Sequence, residues 1–147
     1  MYQHILIATD GSVLAHKGLE HGLALARALG SRVTIIHVTE QYPLAMPGFG
    51  WPSTTEEIEA YLERSEQYGA SVLSAAKAMA EQMGLAAETV YVDEAKPAEA
   101  IIEAAQDLRC DAIVMASNGR RGLSKLLLGS QTLEVLTKTK IPVVVIR

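Results

Sequence analysis

The residues best suited to chemistry lie between Ala112 and Thr132, which reads Ala-Ile-Val-Met-Ala-Ser-Asn-Gly-Arg-Arg-Gly-Leu-Ser-Lys-Leu-Leu-Leu-Gly-Ser-Gln-Thr. The unbroken apolar run Ala112 to Ala116 suits a strand buried on both faces. A polar turn follows, with Gly119, Gly122, Arg120 and Arg121, and Lys125 comes a little later. Gly129-Ser130 stands where a helix would begin. Glycines let a ligand approach the backbone, and the first amides of a helix have no intrahelical acceptor and point at an anion. Phosphate fits such a strand, loop and helix start, with the Ser130 hydroxyl as a further donor. The glycines equally fit plain turns, so the pattern alone leaves both readings open.

Other chemistries find less support. No strand-turn matches G-x-G-x-x-G, and G-x-x-x-x-G-K-[ST] is absent, which argues against a hydride-transfer dehydrogenase or a motor-type nucleotide hydrolase. Asp10, at the end of the first apolar run, is placed to meet a ribose hydroxyl or a metal-bound water. It also suits a turn in which it bonds its own backbone. A phospho-acceptor receiver domain would need more acids beside Asp10 and a lysine after the last strand, and has neither. His16 and His21 are five apart, which puts them on different helix faces, unlike zinc-binding pairs. His4 and His37 fall in strand patterns and read as structural. Cys110, the only cysteine, adjoins a buried strand and reads as a packed thiol. The pairs Glu56-Glu57 and Asp93-Glu94 sit at element ends, and Glu63 and Glu66 read as a solvated helix face.

The elements that must position these residues alternate. His4 to Ala8 is a first strand, and Thr9-Asp10-Gly11-Ser12 a polar turn whose Ser12 caps a helix. In that helix Leu14, Gly18, Gly22, Leu25, Ala26 and Leu29 recur at helical spacing, and Gly30 ends it. Gly18 and Gly22 share a face and would let the helix lie close to a sheet, offsetting a propensity cost of about 1 kcal/mol each. Val33 to Val38 is a second strand. Thr39 to Ser53 holds Pro43, Pro47, Pro52, Gly48 and Gly50 and reads as irregular. With Tyr42, Met46, Phe49 and Trp51 it suits a lid, a partner surface or a loop folded over the core. Ser53 with Glu56, or Thr54 with Glu57, forms a capping box opening a long helix that reaches Met83. Glu88 to Val92 alternates as an edge strand does. Pro97 opens a third helix, with Ile101, Ile102 and Ala105 inward, ending near Leu108. The strand Ala112 to Ala116, a helix from Ser130 to Thr137, and a last strand after Pro142, Val143 to Ile146, complete the chain.

Alternation of strand and helix implies a doubly wound, Rossmann-like parallel sheet with helices on both faces. Right-handed crossovers, with the first and fourth strands adjacent, give the order 3-2-1-4-5. A crevice then opens above the ends of those two strands, flanked by Thr9 to Ser12 and Ser117 to Gly122. The last strand becomes an apolar edge, which invites pairing with a second copy. At 147 residues, 49% apolar and 20% charged, one domain over 1–147 is expected. A net charge of −4 gives no pull toward nucleic acid or anionic lipid. No apolar run approaches the roughly 20 residues of a membrane span, and no export signal is evident, so a soluble cytoplasmic protein is expected.

Ile5-Leu6-Ile7-Ala8-Thr9-Asp10-Gly11-Ser12, Ile35-Ile36-His37-Val38, the run from Cys110 to Leu123, Leu127-Leu128-Gly129-Ser130 and the closing Ile141 to Ile146 span the whole chain. In these segments the chain resembles the universal stress protein family, in its ATP-binding subgroup. Gly119, nine intervening residues and Gly129-Ser130 match the second half of the family motif G-x2-G-x9-G-[ST]. Its first glycine falls on Ala116. That methyl group is mild if φ is negative there, and costs affinity if φ is positive or if it lies against the ribose.

The resemblance implies that Ala8, Thr9 and Asp10 line the nucleoside end and that Val38 meets adenine through its backbone. Met115 and Ala116 would border the ribose. Gly119, Arg120, Gly129, Ser130, Gln131 and Thr132 would surround the phosphates. It implies ATP, ADP or AMP as regulatory ligand, with Mg²⁺ or Mn²⁺ held through the phosphates, and a homodimer joined through Val143 to Ile146. A role in stress tolerance or signalling follows, with weak ATP hydrolysis or a nucleotide-free partner-binding module as alternatives.

Overall fold

A computed structural model describes residues 1–42, 54–119 and 127–147. Its elements are β1 (His4–Ala8), α1 (Val13–Leu29), β2 (Arg32–Glu40), α2 (Thr55–Gln82), β3 (Ala87–Ala95), α3 (Pro97–Asp107), β4 (Ala112–Ala116), α4 (Ser130–Lys138) and β5 (Val143–Ile146). The strands are parallel, in the order β3-β2-β1-β4-β5, as the alternation predicts. The expectation of a lid or partner surface between Pro43 and Pro52 lies outside the described residues, as do Arg120, Arg121, Gly122 and Lys125. Among the described residues, no helix is long and apolar enough to cross a membrane.

Side chains alternate across the central strands, so each strand supplies both layers. Ile5, Ile7, Val33, Ile35, Ala112 and Val114 pack with Leu19, Leu23 and Ala26 of α1 and with Leu73, Ala76 and Ala80 of α2. Leu6, Ile36, Ile113 and Met115 pack on the other face with Ala98, Ile101, Ile102 and Ala105 of α3 and Val135 of α4. Helix ends follow the local chemistry. Ser12 Oγ accepts from the Ala15 amide at 3.1 Å, and Gly30 closes α1 in the left-handed conformation at φ 70°. Of the two capping boxes allowed, α2 uses Thr54 and Glu57, with bonds of 3.2 and 2.9 Å.

Three expectations need correction. Strand β2 does not stop at Val38. Thr39 and Glu40 extend it, Thr39 is buried, and its Oγ1 lies 2.8 Å from the Tyr91 hydroxyl. Strand β3 is correspondingly longer, from Ala87 to Ala95, with a register irregularity between Val38 and Glu40. Leu29 is not on the inner stripe of α1. It lies in the last turn, 47% exposed, and Leu19 and Leu23 do the packing.

His4 and Asp111 fasten the far end of the sheet. A carbonyl can only accept, so His4 Nδ1 donates to Leu108 O at 3.1 Å, and Nε2 takes the Thr34 hydroxyl at 2.8 Å. Asp111 accepts from the amides of Gln3 at 2.8 Å and His4 at 3.0 Å. Those bonds, the His4 amide foremost, hold its carboxyl below the usual carboxylate range. A lowered pKa contributes stability above the unfolded value, which is lost as pH falls through the folded one. We therefore expect Asp111→Asn to lower the melting temperature at pH 7 and to differ less from the parent at pH 3. Equal differences at the two pH values would contradict this role. Cys110 beside it is buried, and desolvation, helped by Asp111, pushes its thiol up to about 11. It is a packed thiol, with almost no thiolate at neutral pH.

Candidate functional site

Strands β1 and β4 are neighbours where the winding reverses, and a crevice of about 1080 Å³ opens above their C-terminal ends. The last rung between β1 and β2 there is the Thr9 amide on Ile36 O at 3.0 Å. The chain then turns through Gly11 at φ 79°, a left-handed conformation that glycine adopts without the steric cost a β-carbon would bring. Asp10 Oδ1 accepts from the Ser12 amide at 2.9 Å, the backbone-bonding turn that the sequence allows. Its other oxygen looks across the crevice: a Cβ on Gly119 would sit 2.8 Å from Oδ2. One carboxylate thus serves both the turn and the crevice.

The opposite wall is the start of α4. Gly129 is its N-cap at φ −62°, and its amide donates to Ser117 O at 2.7 Å. The negative φ shows that glycine is needed here for space rather than for backbone freedom. A Cβ would lie 3.2 Å from Asn118 Oδ1 and 3.3 Å from both Asn118 Cα and Ser117 O. The amides of Ser130, Gln131 and Thr132 form the first turn, which carries no acidic residue to compete with an anion. Thr132 is buried and donates its hydroxyl to Ala116 O at 2.9 Å, tying α4 to the end of β4. Gln131 Oε1 accepts from the Ala98 amide at 2.9 Å. It thereby caps α3, whose N-cap Lys96 makes no side-chain cap of its own.

Every site residue expected from the sequence lines this one crevice except Arg120, which lies outside the described residues: Ala8, Thr9, Asp10, Val38, Met115, Ala116, Gly119, Gly129, Ser130, Gln131 and Thr132. Ala116 ends β4 in register with Ile146, and Tyr2 and Arg109 are the non-glycine residues at positive φ among those described. Its methyl group therefore carries no backbone strain. Ala8, Val38, Ile101, Met115 and Ala116 supply an apolar wall beside the polar one.

Sequence reasoning missed the contribution of α2. Tyr61, Arg64, Ser65 and Tyr68 recur along one face of that helix and line the crevice, and Lys96 adds a second cation at its rim. The spacing three, four and seven was visible, but the neighbouring Glu63 and Glu66 made the helix read as solvated. His37 was read as structural, and its bond from Nδ1 to Thr9 O at 2.9 Å is indeed to backbone, but to backbone of the site. Among the described residues, no group of three or more histidine, cysteine or acidic side chains is placed to hold a metal.

The sequence matches the model of the universal stress protein family across residues 1–147. A protein of Thermus aquaticus, named universal stress protein in QAH/OAS sulfhydrylase 3′ region, is 32% identical over 147 residues, covering all of both chains. The solved structure of hypothetical protein MJ0577, from Methanocaldococcus jannaschii, has a TM-score of 0.80 at 30% identity, over 99% of this chain and 96% of that one. A universal stress protein of Archaeoglobus fulgidus, solved in complex with dAMP, has the same fold, with a TM-score of 0.67 at 24% identity over 99% and 98% of the two chains.

Proposed function

We propose that this chain, which belongs to the universal stress protein family, binds an adenine nucleotide in the crevice between β1 and β4 and acts as a cytoplasmic homodimer in stress response or its regulation. The observation that carries the reading is the pairing of two walls across one opening. The first-turn amides of α4, which have no intrahelical acceptor, and the Ser130 hydroxyl suit phosphate, while Asp10 at the end of β1 suits a ribose hydroxyl. The apolar wall from Ala8 and Val38 to Met115 suits a purine. The dAMP complex of the Archaeoglobus fulgidus protein supports the ligand class through a shared fold. ATP is the ligand proposed, with ADP or AMP on the same contacts. Mg²⁺ or Mn²⁺ would reach the protein through the phosphates, as the family resemblance implies.

Binding at the crevice would alter the surface offered to partners. Strand β5 supports the dimer: it is a sheet edge of four apolar residues, Val143 to Ile146, with Val144 37% exposed. Calorimetric titration with AMP and ATP is expected to show saturable binding at one site per chain. Asp10→Ala should weaken it by roughly tenfold, the value of one charge-assisted hydrogen bond. Sedimentation should give twice the 15.8 kDa chain mass. No heat with either nucleotide, and no nucleotide released on denaturing the purified protein, would overturn the ligand. A single-chain mass would overturn the dimer.

A further inference from the structure

Where β1 leaves the sheet, two side chains from different elements bond the carbonyls of Thr9 and Asp10. His37 of β2 donates from Nδ1 to Thr9 O at 2.9 Å, and Tyr68 of α2 donates its hydroxyl to Asp10 O at 2.8 Å. The two rings meet edge to face with centroids 5.7 Å apart. Tyr91 of β3 stacks on the other side of His37 at 6.1 Å and 14°, and its hydroxyl lies 2.8 Å from Thr39 Oγ1. Three rings from three elements thus stand in contact beneath two successive carbonyls.

Two glycines make room for this arrangement. A Cβ on Gly11 would run into the Tyr68 hydroxyl and come within 2.7 Å of Val72. A Cβ on Gly69, one residue after Tyr68, would run into the Tyr91 ring and lie 3.0 Å from His37 Cδ2. Neither glycine belongs to the phosphate loop. Both are placed where a larger residue would displace the rings that hold the carbonyls.

We propose that Tyr68 and His37 are positioning residues for the ligand site. By clamping the Thr9 and Asp10 carbonyls they set the Asp10 backbone, so that its carboxylate keeps one oxygen on the Ser12 amide and turns the other across the crevice toward Gly119. This rests on the nucleotide reading for its functional consequence. A carboxylate already held in its bound orientation loses less freedom when a ligand hydroxyl arrives, and that saving appears as affinity. It also makes α2, which supplies no residue to the phosphate loop, a determinant of the ribose end.

The test is Tyr68→Phe, which removes one oxygen and keeps the ring. AMP affinity should fall roughly three- to tenfold, the value of one hydrogen bond expressed through the carboxylate. In an Asp10→Ala background the same change should cost almost nothing, because the group it positions is gone. Without ligand, the Asp10 side-chain carboxyl carbon resonance should shift and broaden in Tyr68→Phe. A purely structural tyrosine would lower the melting temperature and leave affinity and resonance alone, and that result would overturn the proposal, as would losses that add in the double variant. If the parent protein binds no AMP, the nucleotide reading fails by itself. The carboxyl resonance then decides the positioning role: movement supports it, and a fixed resonance removes it.

Discussion

Gly129→Val is expected to weaken AMP and ATP binding by about 100-fold while leaving a protein that folds and melts cooperatively. The backbone of Gly129, at φ −62° and ψ 153°, is open to any residue, so no conformational strain is involved. The obstacle is space. Its amide is drawn onto Ser117 O at 2.7 Å, and a Cβ would find Asn118 Cα and Ser117 O each at 3.3 Å. Those are backbone atoms that cannot rotate aside, and valine adds two more methyl groups. The start of α4 must therefore move off the end of β4, and its first-turn amides with it. Losing two amide bonds to phosphate, each about 1.5 kcal/mol or more when the acceptor is charged, accounts for the factor of 100. The crowding should also destabilise the protein by about 1–3 kcal/mol, which circular dichroism melting will read. Gly129→Ala is expected to fall between parent and valine variant on both scales. Undiminished affinity in the valine variant would mean that the phosphates bind elsewhere.

The sheet was readable because its signals are local and redundant. The run Ala112 to Ala116 and the run Val143 to Ile146 are apolar from end to end, and the structure reproduces both spans. Strand order needed only the alternation of elements and the handedness of crossovers. The ends of β2 and β3 failed for a physical reason. Thr39 and Glu40 run into a proline-rich stretch, and nothing local announces that Thr39 will be buried against Tyr91, a partner across the sheet. Glycine spacing pointed to Gly119 and Gly129, which line the crevice, because close backbone approach leaves a mark in sequence. The aromatic clamp leaves none. Tyr68 lies 58 residues from the carbonyl that it holds, in a long helix whose Glu63 and Glu66 read as a solvated face. Gln131 shows the opposite limit: the family resemblance assigns it to phosphate, yet its side-chain carbonyl caps α3 through Ala98, so one residue ties the start of α4 to the helix beside it.

Gly18 and Gly22 look alike in sequence, four apart on one face of α1, yet opposite outcomes are expected for them. At Gly18 a Cβ would lie 3.5 Å from the Ala116 amide nitrogen and 3.7 Å from Met115 C, ordinary contact distances. Gly18→Ala should therefore keep the helix in place and collect much of the alanine propensity advantage of about 1 kcal/mol. At Gly22 a Cβ would sit 2.8 Å from Ile7 Cδ1, 3.0 Å from Ile7 Cγ1 and 3.3 Å from Val114 Cγ1. Ile7 and Val114 have no exposed surface, so the isoleucine has no empty volume to rotate into. Alanine there should gain nothing. Gly22→Leu should lift α1 off the sheet and cost about 3 kcal/mol, roughly 10 °C in melting temperature for a chain of this size. The displacement also reaches the site, because α1 starts at the Ser12 cap beside Asp10. Gly22→Leu should thus lose nucleotide affinity along with stability, whereas Gly18→Ala should change neither downward. If both leucine and alanine were tolerated at position 22, α1 would have to sit farther from β1 and β4 than these contacts place it.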